Sequence, residues 1–187
     1  GLINFPLNQP YNTPPWNYTG TESVTSIPSN VVDWVLVELR DAASVATATV
    51  ATRISQKAAF LLKNGSIVDL NGLSLLHFNN TISNQLFVVV YHRNHIPIIS
   101  ENSLVKLVGI YSYDYTTSMD QAHGGALGHK QLASGIWGMF AGNADGSNII
   151  DISDKTFWMN EAAEMQDYYK SDFNLDTQVN NKDKDDL

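Results

Sequence analysis

The stretch VVDWVLVELR, Val31–Arg40, decides the fold class. β-Branched and aromatic residues dominate it, and successive side chains on a strand point to opposite faces. Val35, Val37 and Leu39 then share one face, and Trp34 and Leu36 the other. A strand that is apolar on both faces belongs in the middle of a sheet covered on both sides. NQLFVVVYHRNH (84–95) reads as a second strong strand, with His92 and His95 on opposite faces because three residues separate them. KLVGIYSYDYT (106–116) reads as another, with Tyr111, Tyr113 and Tyr115 on one face. TVATRISQKAAFLL (49–62) fits strand alternation, but a helical face through Val50, Ile54, Ala58 and Leu61 fits it equally. Asn64-Gly65 is a hairpin signal leading into SIVDL (66–70). The early PLNQPYNTPPWNYTG (6–20) reads as extended coil with turns. Short strands punctuated by turns predict a mainly β chain, with a β-sandwich over residues 1–141.

Composition narrows the function classes. The chain has 187 residues, 43% of them hydrophobic, enough for a core, and no run reaches the ~18 apolar residues that a membrane span needs. Cysteine is absent, which excludes disulfides, thiolate metal sites and cysteine nucleophiles. The net charge of −8 is unevenly placed: residues 1–142 carry 8 acids and 7 bases, residues 143–187 carry 11 acids and 4 bases. That balance argues against a nucleic-acid partner, which needs a basic face.

The acidic block is internally repeated. Shifted by 29 residues, Asn143 falls on Asp172, Asp145 on Asn174, Ser147 on Asp176, Ile150 on Val179, Asp151 on Asn180 and Asp154 on Asp183. Oxygen donors recur at positions 1, 3, 5, 9 and 12 of a twelve-residue loop, with an apolar residue at position 8. Calcium takes 6–8 oxygen ligands, and such a loop supplies them from positions 1, 3, 5, 7, 9 and 12. The first loop offers Asn143, Asp145, Ser147, the carbonyl of Ile149, Asp151 and Asp154. The second offers Asp172, Asn174, Asp176, the carbonyl of Gln178, Asn180 and Asp183. Two Ca2+ sites are expected, with Ile150 and Val179 pairing the loops through an apolar contact. The competing reading is a pair of Asx-rich turns that bind nothing.

These paired loops resemble type I dockerin modules, in which each loop runs into a helix; DKTFW (154–158) and DKDDL (183–187) would open the two helices. Position 6, usually Gly, is Asn148 in one loop and Thr177 in the other, and a β-branched Thr fits a left-handed backbone poorly. The resemblance implies a small α-helical calcium-binding module over residues 142–187. PLNQPYNTPPWNYTGTESV, VVDWVLVELRDA, VVVYHRNHIPIIS and GHKQLASGIWGMFAGNADG are similar to a module common in large exported proteins of Bacteroidetes. That resemblance implies a segment of a longer secreted or cell-surface protein whose partners are other domains of its own chain or cell-surface proteins.

No catalytic constellation stands out. His123 and His129 flank GGALG, but no Lys-Ser/Thr follows as a phosphate loop requires. There is no Gly-x-Ser-x-Gly elbow, and the carboxylates of the sandwich form no glycosidase pair. Trp16, Tyr18, Tyr111, Tyr113 and Tyr115 could stack on sugar rings or cover the core; Trp34, Trp137 and Trp158 read as core. The expectation is a non-catalytic, calcium-stabilised structural or adhesive module; the alternative is a carbohydrate-binding accessory module of an extracellular enzyme, with a glycan as partner.

Overall fold

The computed structural model describes residues 4–165, 167–185 and 187. β1 (Val31–Ala42), β2 (Arg53–Leu62), β3 (Ile67–Val68), β4 (Gln85–His92) and β5 (His95–Ile99) form one antiparallel sheet in the order β3-β2-β1-β4-β5. β1 is the middle strand, as its two apolar faces require. On one face Val35, Val37 and Leu39 join Ala59 of β2, Leu86, Val88 and Val90 of β4 and Ile98 of β5. On the other, Trp34 and Leu36 join Ala58, Phe60 and Leu62 of β2 and Val68 of β3. The ambiguous segment resolves as strand because β1 offers it a pairing partner along nearly its whole length, from Val31↔Leu62 to Arg40↔Arg53. Val50 lies before it, in a short 3-10 turn.

The sandwich expectation needs correction. Among the described residues, no second broad sheet packs on the first. One face is covered by Leu76, Phe78, Ile82 and the three tyrosines, the other by coil carrying Phe5, Tyr11, Trp16, Tyr18, Val24 and Ile27. The covering segments are rich in Pro, Asn and Gly, which favour turns over long pairing ladders. The coil is held by specific bonds. Tyr11, fully buried, donates its hydroxyl to the Trp34 carbonyl at 2.7 Å, and the Trp34 indole donates to the Pro6 carbonyl at 2.9 Å.

KLVGIYSYDYT is likewise two strands rather than one: β6 (Val105–Leu107) and β7 (Ile110–Ser112) form a hairpin. Val108 and Gly109 between them have φ of 48° and 84°, the double positive φ that a tight two-residue hairpin turn demands. A second small hairpin joins β8 (Lys130–Ala133) to β9 (Ile136–Gly138). After it the chain runs beside β5, with the Ile96 amide donating to the Phe140 carbonyl at 2.8 Å. It then enters the acidic block, which holds α1 (Ile152–Glu161) and α2 (Asn181–Lys184). Of the predicted DKDDL helix, Asp186 lies outside the described residues. Trp34 is core, whereas Trp137 and Trp158 are half-buried, the latter donating its indole to the Asn180 carbonyl at 2.9 Å. Among the described residues no helix is long and apolar enough to cross a membrane.

Trp34→Ala removes a fully buried ring whose centroid lies 4.3 Å from that of Phe60, and leaves the Pro6 carbonyl without its donor. The expected cost is about 3–5 kcal/mol, read as a lower urea midpoint with an unchanged m-value.

Candidate metal centre

The two acidic loops share one backbone plan. Position 6 is left-handed in both, with φ of 70° at Asn148 and 75° at Thr177, so the β-branched Thr adopts the conformation that disfavours it. The side chain at position 1 accepts from the amide at position 6: Asn148 to Asn143 Oδ1 at 3.2 Å, and Thr177 to Asp172 Oδ2 at 3.0 Å. Position 3 accepts from position 5: Ser147 to Asp145 Oδ1 at 2.8 Å, and Asp176 to Asn174 Oδ1 at 2.9 Å. Position 5 accepts from position 7: Ile149 to Ser147 Oγ at 3.3 Å, and Gln178 to Asp176 Oδ1 at 3.1 Å.

Position 9 is the N-cap of the following helix in both loops, and position 12 is its third residue. Asp151 accepts from the Ser153 amide at 2.7 Å and Asn180 from the Lys182 amide at 2.8 Å. Asp154 accepts from the amides of Asp145 and Asp151, and Asp183 from those of Phe173, Asn174 and Asn180. These are capping boxes, and they turn the position-12 carboxyl back over the loop.

Burial follows the same plan. Positions 1 and 12 are buried in both loops (Asn143, Asp154, Asp172 and Asp183), while positions 3, 5 and 9 are at least partly exposed. Desolvation pushes the Asp172 carboxyl up to about 6; Arg93 opposes this and Asp183 adds to it. Desolvation also raises Asp154, against the backbone amides that it accepts from and with help from Asp145. The donor set is all oxygen, drawn from carboxylates, amides, a hydroxyl and two carbonyls, which is the chemistry of a hard cation. Among the described residues, no group of three or more His, Asp or Glu side chains converges as a transition-metal site would. Val179 is buried, and its backbone pairs with the stretch after α1: its amide donates to the Glu164 carbonyl at 3.0 Å and its carbonyl accepts from the Ala163 amide at 2.9 Å.

Both loops hang from one turn. β4 ends at His92 and β5 begins at His95, so Arg93 and Asn94 form a two-residue turn. This corrects the placing of the two histidines on opposite faces: they are cross-strand partners with facing Nδ1 atoms 3.0 Å apart. The Asn94 amide donates to the carbonyls of Lys170 and Asp172 at 2.9 and 2.8 Å. Its own backbone carbonyl accepts from the Asn143 amide at 3.0 Å, and Asn143 Nδ2 donates to the His95 carbonyl at 3.2 Å. One asparagine therefore holds position 1 of each loop. With Asn94 Nδ2 committed to two carbonyls, its Oδ1 faces His95 Nδ1 at 2.8 Å, which assigns a proton to that nitrogen.

Beside the turn lies a buried charge cluster. Arg93 Nε donates to Asp33 Oδ2 at 3.0 Å, and the guanidinium sits 4.1 Å above the Tyr168 ring. The Tyr168 hydroxyl donates to Asp33 Oδ1, and Arg93 Nη1 donates to the Tyr169 carbonyl. His92 Nε2 is 3.1 Å from Asp33 Oδ2, in ion-pair range but off the hydrogen-bond line. Burial alone would raise the Asp33 carboxyl; Arg93, His92 and the Tyr168 hydroxyl together hold it well below the usual carboxylate range. Sequence reasoning placed Arg93 among hydrogen bonds at a strand end and its turn, and missed Asp33, Asn94 and Tyr168. A charged residue inside an otherwise apolar strand, Asp33, was the available signal.

The aromatic candidates for sugar stacking are largely committed elsewhere. Trp16 and Tyr18 pack on one face of the sheet, and Tyr111, Tyr113 and Tyr115 on the other. No family model matches the chain, and no curated protein or solved structure shows significant similarity to it.

Asn94→Ala is expected to raise amide exchange in 143–154 and 172–183 together while β1 and β2 keep their protection, as read by hydrogen-exchange mass spectrometry. Asp33, whose folded pKa is depressed, contributes stability above the usual carboxylate range that is lost as pH falls below about 4. Arg93→Met should flatten or reverse this acid limb in urea midpoints taken between about pH 2.5 and 5.

Proposed function

We propose that the chain is a non-catalytic structural or adhesive module of a secreted or cell-surface protein, and that its C-terminal loops bind two calcium ions. The observation that carries this reading is the duplicated loop geometry, with six matched side-chain-to-amide bonds and positions 1 and 12 buried in both copies. Asn143, Asp145, Ser147, Asp154 and the Ile149 carbonyl would hold one ion. Asp172, Asn174, Asp176, Asp183 and the Gln178 carbonyl would hold the other, with Asp151 and Asn180 contributing directly or through water.

What a cation supplies here is charge. Asp172, Asp176 and Asp183 crowd one short loop whose local apolar support is thin: Phe173 is buried with Ala141 and Ala144, and Phe157 and Leu187 pack on them. A cation bound only to the folded state adds RT ln(1 + [L]/Kd), about 2.7 kcal/mol at 100-fold excess over Kd. An exported location suits the reading, because calcium at structural concentrations is an extracellular resource.

In calcium, titration calorimetry is expected to give two sites per chain. EGTA should release protection over 143–187 and leave β1, β2 and β4 unchanged; protection that chelation does not alter would overturn the proposal. The second loop, with carboxylates at positions 1, 5 and 12 against two at positions 3 and 12 in the first, should bind more tightly. Asp183→Ala would then abolish the tighter step and Asp154→Ala the weaker. Thr177→Gly should tighten the second site by about 1 kcal/mol, several-fold in Kd, by removing left-handed strain at a β-branched residue.

A further inference from the structure

A cavity of about 400 Å³ lies apart from the calcium loops, where three stretches of chain meet: 102–105, 112–114 and 117–121. The Tyr113 phenol pins them together. It accepts from the Asn102 amide at 3.3 Å and donates to the Gln121 carbonyl at 2.7 Å. That carbonyl also accepts from the Glu101 amide at 3.1 Å. Tyr113 stacks edgewise on Tyr115 with ring centroids 4.9 Å apart, and the Tyr115 hydroxyl donates to the Val88 carbonyl in the central sheet at 2.7 Å. The cavity floor is thereby tied to β4 instead of floating on a surface loop.

Its walls carry unused hydrogen-bonding groups. The side-chain amides of Asn102 and Gln121 and the hydroxyls of Ser112 and Thr117 line it and bond to no other described group. Asp114 gives Oδ1 to the amide and hydroxyl of Thr116, at 2.8 and 2.7 Å, while its Oδ2 bonds to no other described group. The lining chemistry selects among ligands. Among the described lining residues there is no lysine, arginine or histidine, so an anion finds no counter-charge. A single carboxylate does not make a divalent-cation site. Val105 and Tyr113 add an apolar wall beside the polar groups, the mixture of surfaces that a sugar ring presents.

We propose that this cavity is a binding site for a neutral, hydroxyl-rich ligand, a pyranose unit of a glycan. Paired amides and a carboxylate oxygen match the donor and acceptor pairs of adjacent sugar hydroxyls. The site stands on observations independent of the calcium reading, and either holds without the other.

The test is an amide-resolved NMR titration of the whole chain, in calcium, with cellohexaose, xylohexaose, mannohexaose and sialyllactose. The expected result is a saturable shift of the Asn102, Ser103, Ser112 and Asp114 amides by at least one neutral hexaose. Asn102→Ala with Gln121→Ala should weaken that binding by about tenfold or more, and Trp16→Ala, remote from the cavity, should leave it unchanged. Neither of the two substituted side chains bonds to another described residue, so the double variant is expected to keep the fold, which its spectrum reports directly. The proposal is overturned if no neutral hexaose moves these amides below about 10 mM. It is equally overturned if sialyllactose binds most tightly, or if the double variant binds as the parent does.

Discussion

The arrangement of the last quarter of the chain depends on the buried pair between Asp33 and Arg93. A charged pair taken out of water returns little net stability, yet removing one partner costs about 3–5 kcal/mol because the other charge is stranded. This pair is surrounded accordingly. Tyr168 bonds the carboxylate and stacks under the guanidinium, and the Tyr169 carbonyl takes another of its protons. The C-terminal segment therefore completes the solvation of a charge that the sheet has buried. The apolar contacts at the junction are few by comparison, with Phe5 against Tyr168 at 5.4 Å between ring centroids and the small cluster around Phe173.

The same economy governs the loops. Position 9 and position 12 of each loop are also the N-cap and third residue of the following helix. α2 is only four residues long, far below the length at which a helix holds by itself. Its start is set by Asn180 and Asp183, so whatever fixes Asp183 also fixes the helix. Gly146 shows how closely the first loop is fitted to the rest: a Cβ there would come within 2.7 Å of Pro15, at a backbone φ of +74°. The Pro- and Asn-rich start of the chain is in this way a structural wall for the first loop as well as a cover for Trp34.

The sheet was legible where periodicity was unambiguous. Val35, Val37 and Leu39 against Trp34 and Leu36 placed β1 at the centre, and Asn64-Gly65 located the β2–β3 turn. The duplication at a spacing of 29 likewise pairs positions that share backbone geometry, with position 6 left-handed in both loops. Two features were hidden by their residue types. The Arg93-Asn94 turn contains no glycine or proline, so it reads as continuing strand, and the histidines were assigned to the wrong faces. Val108 at positive φ violates its own propensity because the flanking pairs Leu107↔Ile110 and Lys106↔Tyr111 impose the turn. The 6–20 cover is the coil that its Pro and Asn content predicts, whereas KLVGIYSYDYT, read as one strand, folds back as a small hairpin. Tertiary demands of this kind leave no local signature.

The span of sequence between Asp33 and Tyr168, 135 residues, bears on the order of events in folding. Contacts between β1 and its neighbours close modest loops, whereas the contact to Tyr168 closes nearly the entire chain and carries a larger entropic cost. Arg93 reaches Asp33 by closing a loop of 60 residues, less than half the 135 that Tyr168 must close. Wherever the sheet closes first, the Asn94 amide and one side of the ion pair face water until residues 168–172 cover them. The polar Arg93-Asn94 turn leaves that surface hydrated instead of sticky until Tyr168 docks on it.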